Sequence, residues 1–211
     1  MPEKPPLLLE QIEIGPMGNF AYFLGDKKTG EIAVVDPAWD ADFILNEAGR
    51  KKLTLKAVLL THGHFDHTNA IDGLLKTKDI PVYISEGEAE FQTPDCPNLK
   101  KIKDHEMIKI GNIEIRCLHT PGHTPGCQCF LAEGNLLTGD TLFIDSIGRC
   151  DLPEGDVKAM YHSLYNVIMK LPDTTVIYPG HQYGPVSSAT LGEQKKTNPY
   201  LQCRSFEEFS A

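Results

Sequence analysis

Thr61-His62-Gly63-His64-Phe65-Asp66-His67 sets three imidazoles and a carboxylate within six positions, His62 to His67. The heptad follows directly on Ala57-Val58-Leu59-Leu60, a short aliphatic run that reads as a buried strand. It therefore leaves a strand end on an irregular loop, where backbone can fold around an ion. Imidazole and carboxylate suit divalent metals, and four such groups this close would otherwise repel or waste burial. A solvated polar loop or a helix cap is the bland alternative. Against it stands the recurrence of candidate ligands downstream in matching contexts.

His123 lies in His119-Thr120-Pro121-Gly122-His123-Thr124-Pro125-Gly126, after a strand expected over 113–118. Asp140 ends Leu136-Leu137-Thr138-Gly139-Asp140, and His181 ends Ile177-Tyr178-Pro179-Gly180-His181. Strand ends gathered at one sheet edge converge in space, and a small residue before each ligand lets backbone approach closely. Five histidines and two aspartates exceed one tetrahedral site but divide into two that share Asp140. The first takes His62, His64 and His123; the second takes Asp66, His67 and His181. A bridging aspartate would fix two ions about 3.5–4 Å apart, the separation used in two-metal hydrolysis. Structural zinc usually closes all four positions with protein ligands, often sulfur. Here sulfur is absent and a bridging water has room, which points to catalysis and away from a metal-binding module without turnover. Two divalent ions are thus expected, zinc first, with iron or manganese admitted by all-N/O ligation.

Around these motifs the chain alternates strands and helices in two similar passes. Strands are expected at 9–14, 20–25 and 31–35, then a helix over 40–52 with Phe43, Ile44 and Ala48 at helical spacing. A helix near 68–77 follows the heptad, then a strand at Pro81-Val82-Tyr83-Ile84 and a short helix capped by Ser85. Residues 92–103, with Pro94, Asp95, Pro97 and Asn98, form the least regular stretch and read as a loop over the site. Strands return at 107–110, 113–118, 127–132 and 135–138, the first two joined by a Gly111-Asn112 turn. A helix over 156–170, a strand at 175–178 and a helix over 190–197 complete the pattern.

At 211 residues, 41% of them hydrophobic and 23% charged, the chain reads as one globular domain over 1–211. Twenty-nine acidic against 20 basic residues, net −9, disfavour nucleic acid as a partner. Leu7-Leu8-Leu9 is too short for a signal-peptide core, and no stretch reaches membrane-spanning length. A cytoplasmic protein acting on a small molecule is expected, its six cysteines reduced and without any CxxC pair.

The heptad, His123, Asp140 and His181 together resemble the ligand motifs of the metallo-β-lactamase-fold superfamily, over nearly the whole chain. The resemblance implies a four-layer αββα sandwich with its two sheets face to face. Within that superfamily, Gly139-Asp140-Thr141-Leu142-Phe143, Ile147-Gly148-Arg149 and Ala159-Met160-Tyr161-His162-Ser163-Leu164 resemble the glyoxalase II branch, which hydrolyses glutathione thioesters. That likeness implies attack by a metal-bridging hydroxide, with Asp66 orienting it as well as binding metal. It also implies that Arg149 and Tyr183 contact glutathione. Two departures stand out: Asp151 occupies a position where that branch has tyrosine, and with little sequence after Asn198-Pro199-Tyr200-Leu201 the helical domain completing glutathione binding is expected to be missing.

Gly148-Arg149-Cys150-Asp151-Leu152 also resembles the sister branch of persulfide dioxygenases, which would hold a single iron on His62, His123 and Asp140. Other residues have plainer readings. His119 is expected to hydrogen-bond within its loop, His105 and His162 to be surface groups, and Cys150 to be a half-buried thiol. Lys195 and Lys196 read equally as a solvated helix face or as help for an anionic substrate. Asp36 is either a turn former before Pro37 or an acceptor for a ligand histidine.

Overall fold

The computed structural model describes residues 6–91, 94 and 96–211. One sheet joins β1 (Leu7–Ile14), β2 (Asn19–Asp26), β3 (Glu31–Val35), β4 (Thr54–Leu59), β5 (Val82–Ser85) and β6 (Leu99–Ile102) in that order. A second contains β7 (Met107–Ile110), β8 (Ile113–His119), β9 (Gln128–Ala132), β10 (Asn135–Gly139), β13 (Val176–Pro179) and β14 (Ala189–Thr190), ordered β14-β13-β10-β9-β8-β7. Between β10 and β13 in sequence lies a small ribbon of β11 (Leu142–Phe143) and β12 (Ser146–Ile147).

β2 shows why the sheets stack. All eight of its residues are buried, and a strand alternates its side chains between two faces. Phe20, Tyr22 and Leu24 therefore enter the core between the sheets, where they meet Ile113, Ile115, Phe130 and Leu137. Ala21 and Phe23 point the other way, onto α1 (Ala41–Arg50) and α3 (Ile71–Leu75) through Ile44, Ala48, Ile71 and Leu74. The second sheet is likewise covered outside, by Met160, Leu164, Ile168 and Leu191 over Leu118, Cys129, Leu136 and Ile177. Each large aliphatic or aromatic side chain so buried contributes about 1.5–3 kcal/mol. The result is the expected αββα order.

Several elements depart from the sequence reading. The helix expected near 68–77 is two short ones, α2 (Phe65–Thr68) and α3, and α2 starts inside the heptad. There the His64 carbonyl accepts from His67 N (2.9 Å) and from Thr68 Oγ1 (3.1 Å), which turns the chain at once. The loop expected at 92–103 contains β6, an edge strand whose alternation is masked by Lys100 and Lys101; residues 92, 93 and 95 lie outside the described residues. The 156–170 helix is α5 (Val157–His162), capped by Asp156, followed by a wide turn at Ser163–Val167 and a tight one at Ile168–Lys170. α4 (Glu86–Phe91) begins under Ser85 as expected, its Glu88 N donating to Ser85 Oγ at 3.1 Å. α6 (Leu191–Thr197) carries a full Thr190–Glu193 capping box, and α7 (Phe206–Phe209) is a single turn. Among the described residues no helix is long and apolar enough to cross a membrane.

The pairings β3–β4 and β10–β13 are parallel, so their C-terminal ends share an edge. Asp36, the heptad, Asp140 and His181 all follow these strands, and His123 follows β8.

Candidate metal centre

All seven residues singled out as ligands meet at that edge. His62, His64 and His123 offer nitrogens within 4.8 Å of one another, and Asp66, His67 and His181 bring a carboxylate oxygen and two nitrogens equally close. His123 Nε2 stands 3.0 Å from His64 Nδ1, and His67 Nε2 stands 3.1 Å from His181 Nε2. The Asp140 carboxylate lies between the sets: Oδ2 is 3.6 Å from His123 Nε2 and 3.3 Å from His181 Nε2, while Oδ1 is 3.4 Å from His67 Nε2. Two glycines make this approach possible. Gly139 adopts φ +48°, and a Cβ on Gly180 would fall 2.3 Å from Asp140 Oδ1.

The outward nitrogen of each imidazole has a protein acceptor. His64 Nε2 faces Glu154 Oε1 (3.3 Å), His123 Nδ1 the Arg149 carbonyl (2.8 Å) and His181 Nδ1 the Met17 carbonyl (3.1 Å). His67 Nδ1 faces Asp36 Oδ2 (3.2 Å), and His62 Nδ1 faces Thr61 Oγ1 (3.1 Å). Thr61 Oγ1 in turn donates to Asp36 Oδ2 (2.6 Å), so one buried carboxylate orients a histidine of each set. Asp36 is thus the acceptor that the sequence suggested, held at φ +48°, a conformation rare outside glycine. Such partners fix tautomer and ring orientation, which is how metal-ligating histidines are supported.

With the outer nitrogens committed, the inner lone pairs converge on one another. Zinc–nitrogen bonds of about 2.0–2.1 Å in tetrahedral geometry bring ligand nitrogens to about 3.3 Å, near the separations seen here. His62 Nε2 and Asp140 Oδ1 are buried without a hydrogen-bond partner, as expected of atoms aimed at an ion. Charge points the same way. Burial alone would lower the His67 pKa, but Asp140, Asp36 and Asp66 reverse that and push it to about 9. Burial alone would raise Asp140, yet His67, His181 and His62 hold it well below the usual carboxylate range. His62 and His123 stay low, through burial first and then, for His62, the neighbouring His67. Three carboxylates thus favour a proton on His67, where cations would sit. The donor set fits two divalent ions.

The predicted substrate contacts are placed differently. Tyr183 stacks on the His181 ring, centroids 4.5 Å apart and planes 9° apart, with more than half its surface exposed. Arg149 is exposed and held by Asp151, Nε and Nη2 each 2.9 Å from a carboxylate oxygen. His119 Nε2 meets the Pro125 carbonyl at 3.2 Å within its loop, and His105 and His162 are exposed. Burial, then Asp151 and Asp156, push the Cys150 thiol up to about 11, so it stays protonated at neutral pH. Lys195 pairs with Asp173.

Sequence reasoning missed Asn19, Glu88 and Glu154. Glu88, fully buried, accepts from Gly63 N (2.7 Å), Thr124 Oγ1 (2.6 Å) and Gly126 N (3.0 Å), tying the heptad to the His123 loop. Its only sequence signal was an acidic residue in the first turn of a short capped helix.

Residues 14–181 match the Metallo-beta-lactamase superfamily model, and the chain belongs to that superfamily. It is 34% identical over 191 residues to the probable polyketide biosynthesis zinc-dependent hydrolase PksB of Bacillus subtilis, covering 90% of this chain and 85% of that protein. It is 33% identical to the human mitochondrial persulfide dioxygenase ETHE1 (97% of this chain, 79% of that one). With the hydroxyacylglutathione hydrolase GloC of Haemophilus influenzae it shares 31% identity (92% and 99%). Among solved structures, ETHE1 from Myxococcus xanthus superposes with a TM-score of 0.87 at 30% identity, over 96% of this chain and 88% of that one. TTHA1623 in a di-iron-bound form gives 0.80 at 31% identity, over 91% and 100%.

Proposed function

We propose that the protein is a glyoxalase II-like thioester hydrolase with two divalent ions, zinc or iron, held by His62, His64 and His123 on one side and Asp66, His67 and His181 on the other. The observation that carries this reading is Asp140, whose carboxylate faces both sets at 3.3–3.6 Å. Ions held there supply Lewis acidity and water that ionises near neutral pH. The chain's own residues do the rest. Asp140 keeps the two sets in register, and Asp66 would offer a carboxylate oxygen to orient water supplied there. The Asp36–Thr61 pair gives the outer nitrogens of His62 and His67 acceptors, which turns their inner nitrogens toward the ions.

Tyr183 covers the His181 side, and burial followed by Asp140 and Asp66 raises its phenol pKa, so it meets substrate as a hydrogen-bond donor. Beside His64 a groove of about 530 Å³, walled by Phe91, Pro121, Pro125 and Pro153 with Glu154 at its rim, has room for the acyl or thiol arm.

The second reading is a persulfide dioxygenase using one iron on His62, His123 and Asp140, favoured by the likeness to human ETHE1. It leaves Asp66, His67 and His181 without a task although their donor atoms converge as closely as the first set. Elemental analysis of purified protein with two assays decides. Near two metals per chain and thioester cleavage support the hydrolase; one iron with oxygen consumption on glutathione persulfide overturns it.

A further inference from the structure

Asp66 is the carboxylate that distinguishes the second set of donors from the first, and its orientation is controlled from outside the set. Asn19, 1% exposed at the start of β2, donates through Nδ2 both to the Asp66 carbonyl (3.0 Å) and to Asp66 Oδ2 (2.9 Å). One amide thus fixes the carboxylate against its own main chain. The same Oδ2 faces the two histidines of the second set, 3.6 Å from His67 Nε2 and 3.5 Å from His181 Nε2. An ionised carboxylate oxygen has lone pairs for both an amide donor and an ion.

What decides the amide's orientation is Trp39. Its Nε1 lies 2.8 Å from Asn19 Oδ1, and an indole N–H can only donate. The amide oxygen must face the indole, so the amide nitrogen must face Asp66. Trp39 is held at φ +62°, a strained conformation for a bulky residue that persists only where the surroundings enforce it. Its ring lies so close over Gly15 that a Cβ there would come within 2.1 Å of it, and its far side meets Phe65 edge-on at 6.2 Å. The backbone of Asn19 also bridges to His181, flanked by Phe20 N to Gly180 O (2.8 Å) and Gln182 N to Gly18 O (2.7 Å). Asn19 therefore touches Asp66 through its side chain and the His181 strand end through its main chain.

We infer that Asn19, locked in one amide orientation by Trp39, is a positioning residue that makes Asp66, His67 and His181 into a second ion site. The inference rests on the two-ion reading and adds what controls the second ion. Chelator-treated wild type, Asn19→Ala and Trp39→Phe are titrated with Zn2+, reading stoichiometry, the affinity of each ion and the emission of Trp39, the sole tryptophan. Asn19→Ala should lose about 10–100-fold in affinity for the second ion, the usual effect of removing such a partner, while the first binds as in wild type. Trp39→Phe, which retains an aromatic ring but frees the amide to flip, should show a smaller loss of the same sign. Should Asn19→Ala not fold, Trp39→Phe alone decides the matter. The Zn2+-induced change in Trp39 emission should disappear in Asn19→Ala. Wild-type affinity for the second ion in both variants overturns the role of Asn19 and leaves the hydrolase reading standing. A wild type that binds only one ion overturns both.

Discussion

Replacing Glu88 with glutamine should loosen the first set of donors without touching one of them. The carboxylate accepts three hydrogen bonds from Gly63, Thr124 and Gly126, and no part of the residue reaches solvent. A glutamine of the same shape has one acceptor oxygen. If that oxygen turns to Gly126 and Thr124, its NH2 opposes Gly63 N–H. If it turns to Gly63, the NH2 opposes Gly126 N–H, and only the Thr124 hydroxyl can rotate to accept. Either way one buried backbone N–H loses its acceptor, at a cost of about 1–3 kcal/mol. At about 2–4 °C per kcal/mol for a chain of this size, the metal-free variant should melt about 2–12 °C lower. Gly63 separates His62 from His64, and Thr124 follows His123, so the strain falls on the set those three form. Zn2+ affinity there should drop about 10–100-fold, while affinity at Asp66, His67 and His181 holds. Differential scanning calorimetry of metal-free protein and competitive Zn2+ titration measure the two effects. A Gln variant that melts with wild type and binds both ions equally well would show that the loops are held without Glu88.

Asp140→Asn keeps the volume of the shared residue but removes its charge, and should lower both metal content and thioester turnover; normal values of both would remove the basis for a shared site. Gly180→Ala places a methyl 2.3 Å from Asp140 Oδ1 and 3.0 Å from His67 Cε1, so metal content should fall in a variant that changes no ligand, and full content would show that the strand end can retreat. Asp151→Asn frees the Arg149 fork, and since an exposed ion pair is weak, kcat/KM for an anionic glutathione thioester should rise by a few-fold at most. A neutral thioester should be unaffected, and an equal gain on both would disconnect Arg149 from glutathione. In chelator-treated protein, His67 has a folded pKa of about 9, raised above its unfolded value of about 6.5. The stability it contributes is complete below about pH 6.5 and is lost as pH climbs to about 9; melting temperatures that stay level across that interval would contradict the charge balance described for the cluster.

How much of this was legible follows from where each signal lies in the chain. β2, β3 and β4 and helix α1 carry their period in a few consecutive residues, so burial and element type could be read together. β6, β11, β12 and β14 have two to four residues each, too few to display a period, and are defined by their pairing, β6 with β5, β14 with β13, and β11 and β12 with each other. The donors were legible because histidine and aspartate at strand ends have few other uses and because four of them are consecutive or nearly so. Arg149 was read by likeness alone, and its partner Asp151, the residue that departs from the likeness, proves to be what occupies it.

The supporting residues show why a donor motif says little about how many ions are held. Glu88 reaches Gly63 and Thr124 from 25 and 36 positions away, Asn19 reaches Asp66 from 47, and Glu154 reaches His64 from 90. None of these pairings has a spacing rule, since each is created by two separate elements packing at one edge. Yet they do not support the two sets equally. Glu88 and Glu154 bear on the first set, Asn19 on the second, and Asp36 alone, through His67 directly and His62 by way of Thr61, bears on both. Two relatives of this fold with the same heptad could therefore hold different numbers of ions if they differ only at positions such as Asn19. If Asn19 acts as inferred, the choice between a two-ion hydrolase and a one-iron oxygenase rests less on the shared donors than on the uncharged residue that hydrogen-bonds Asp66.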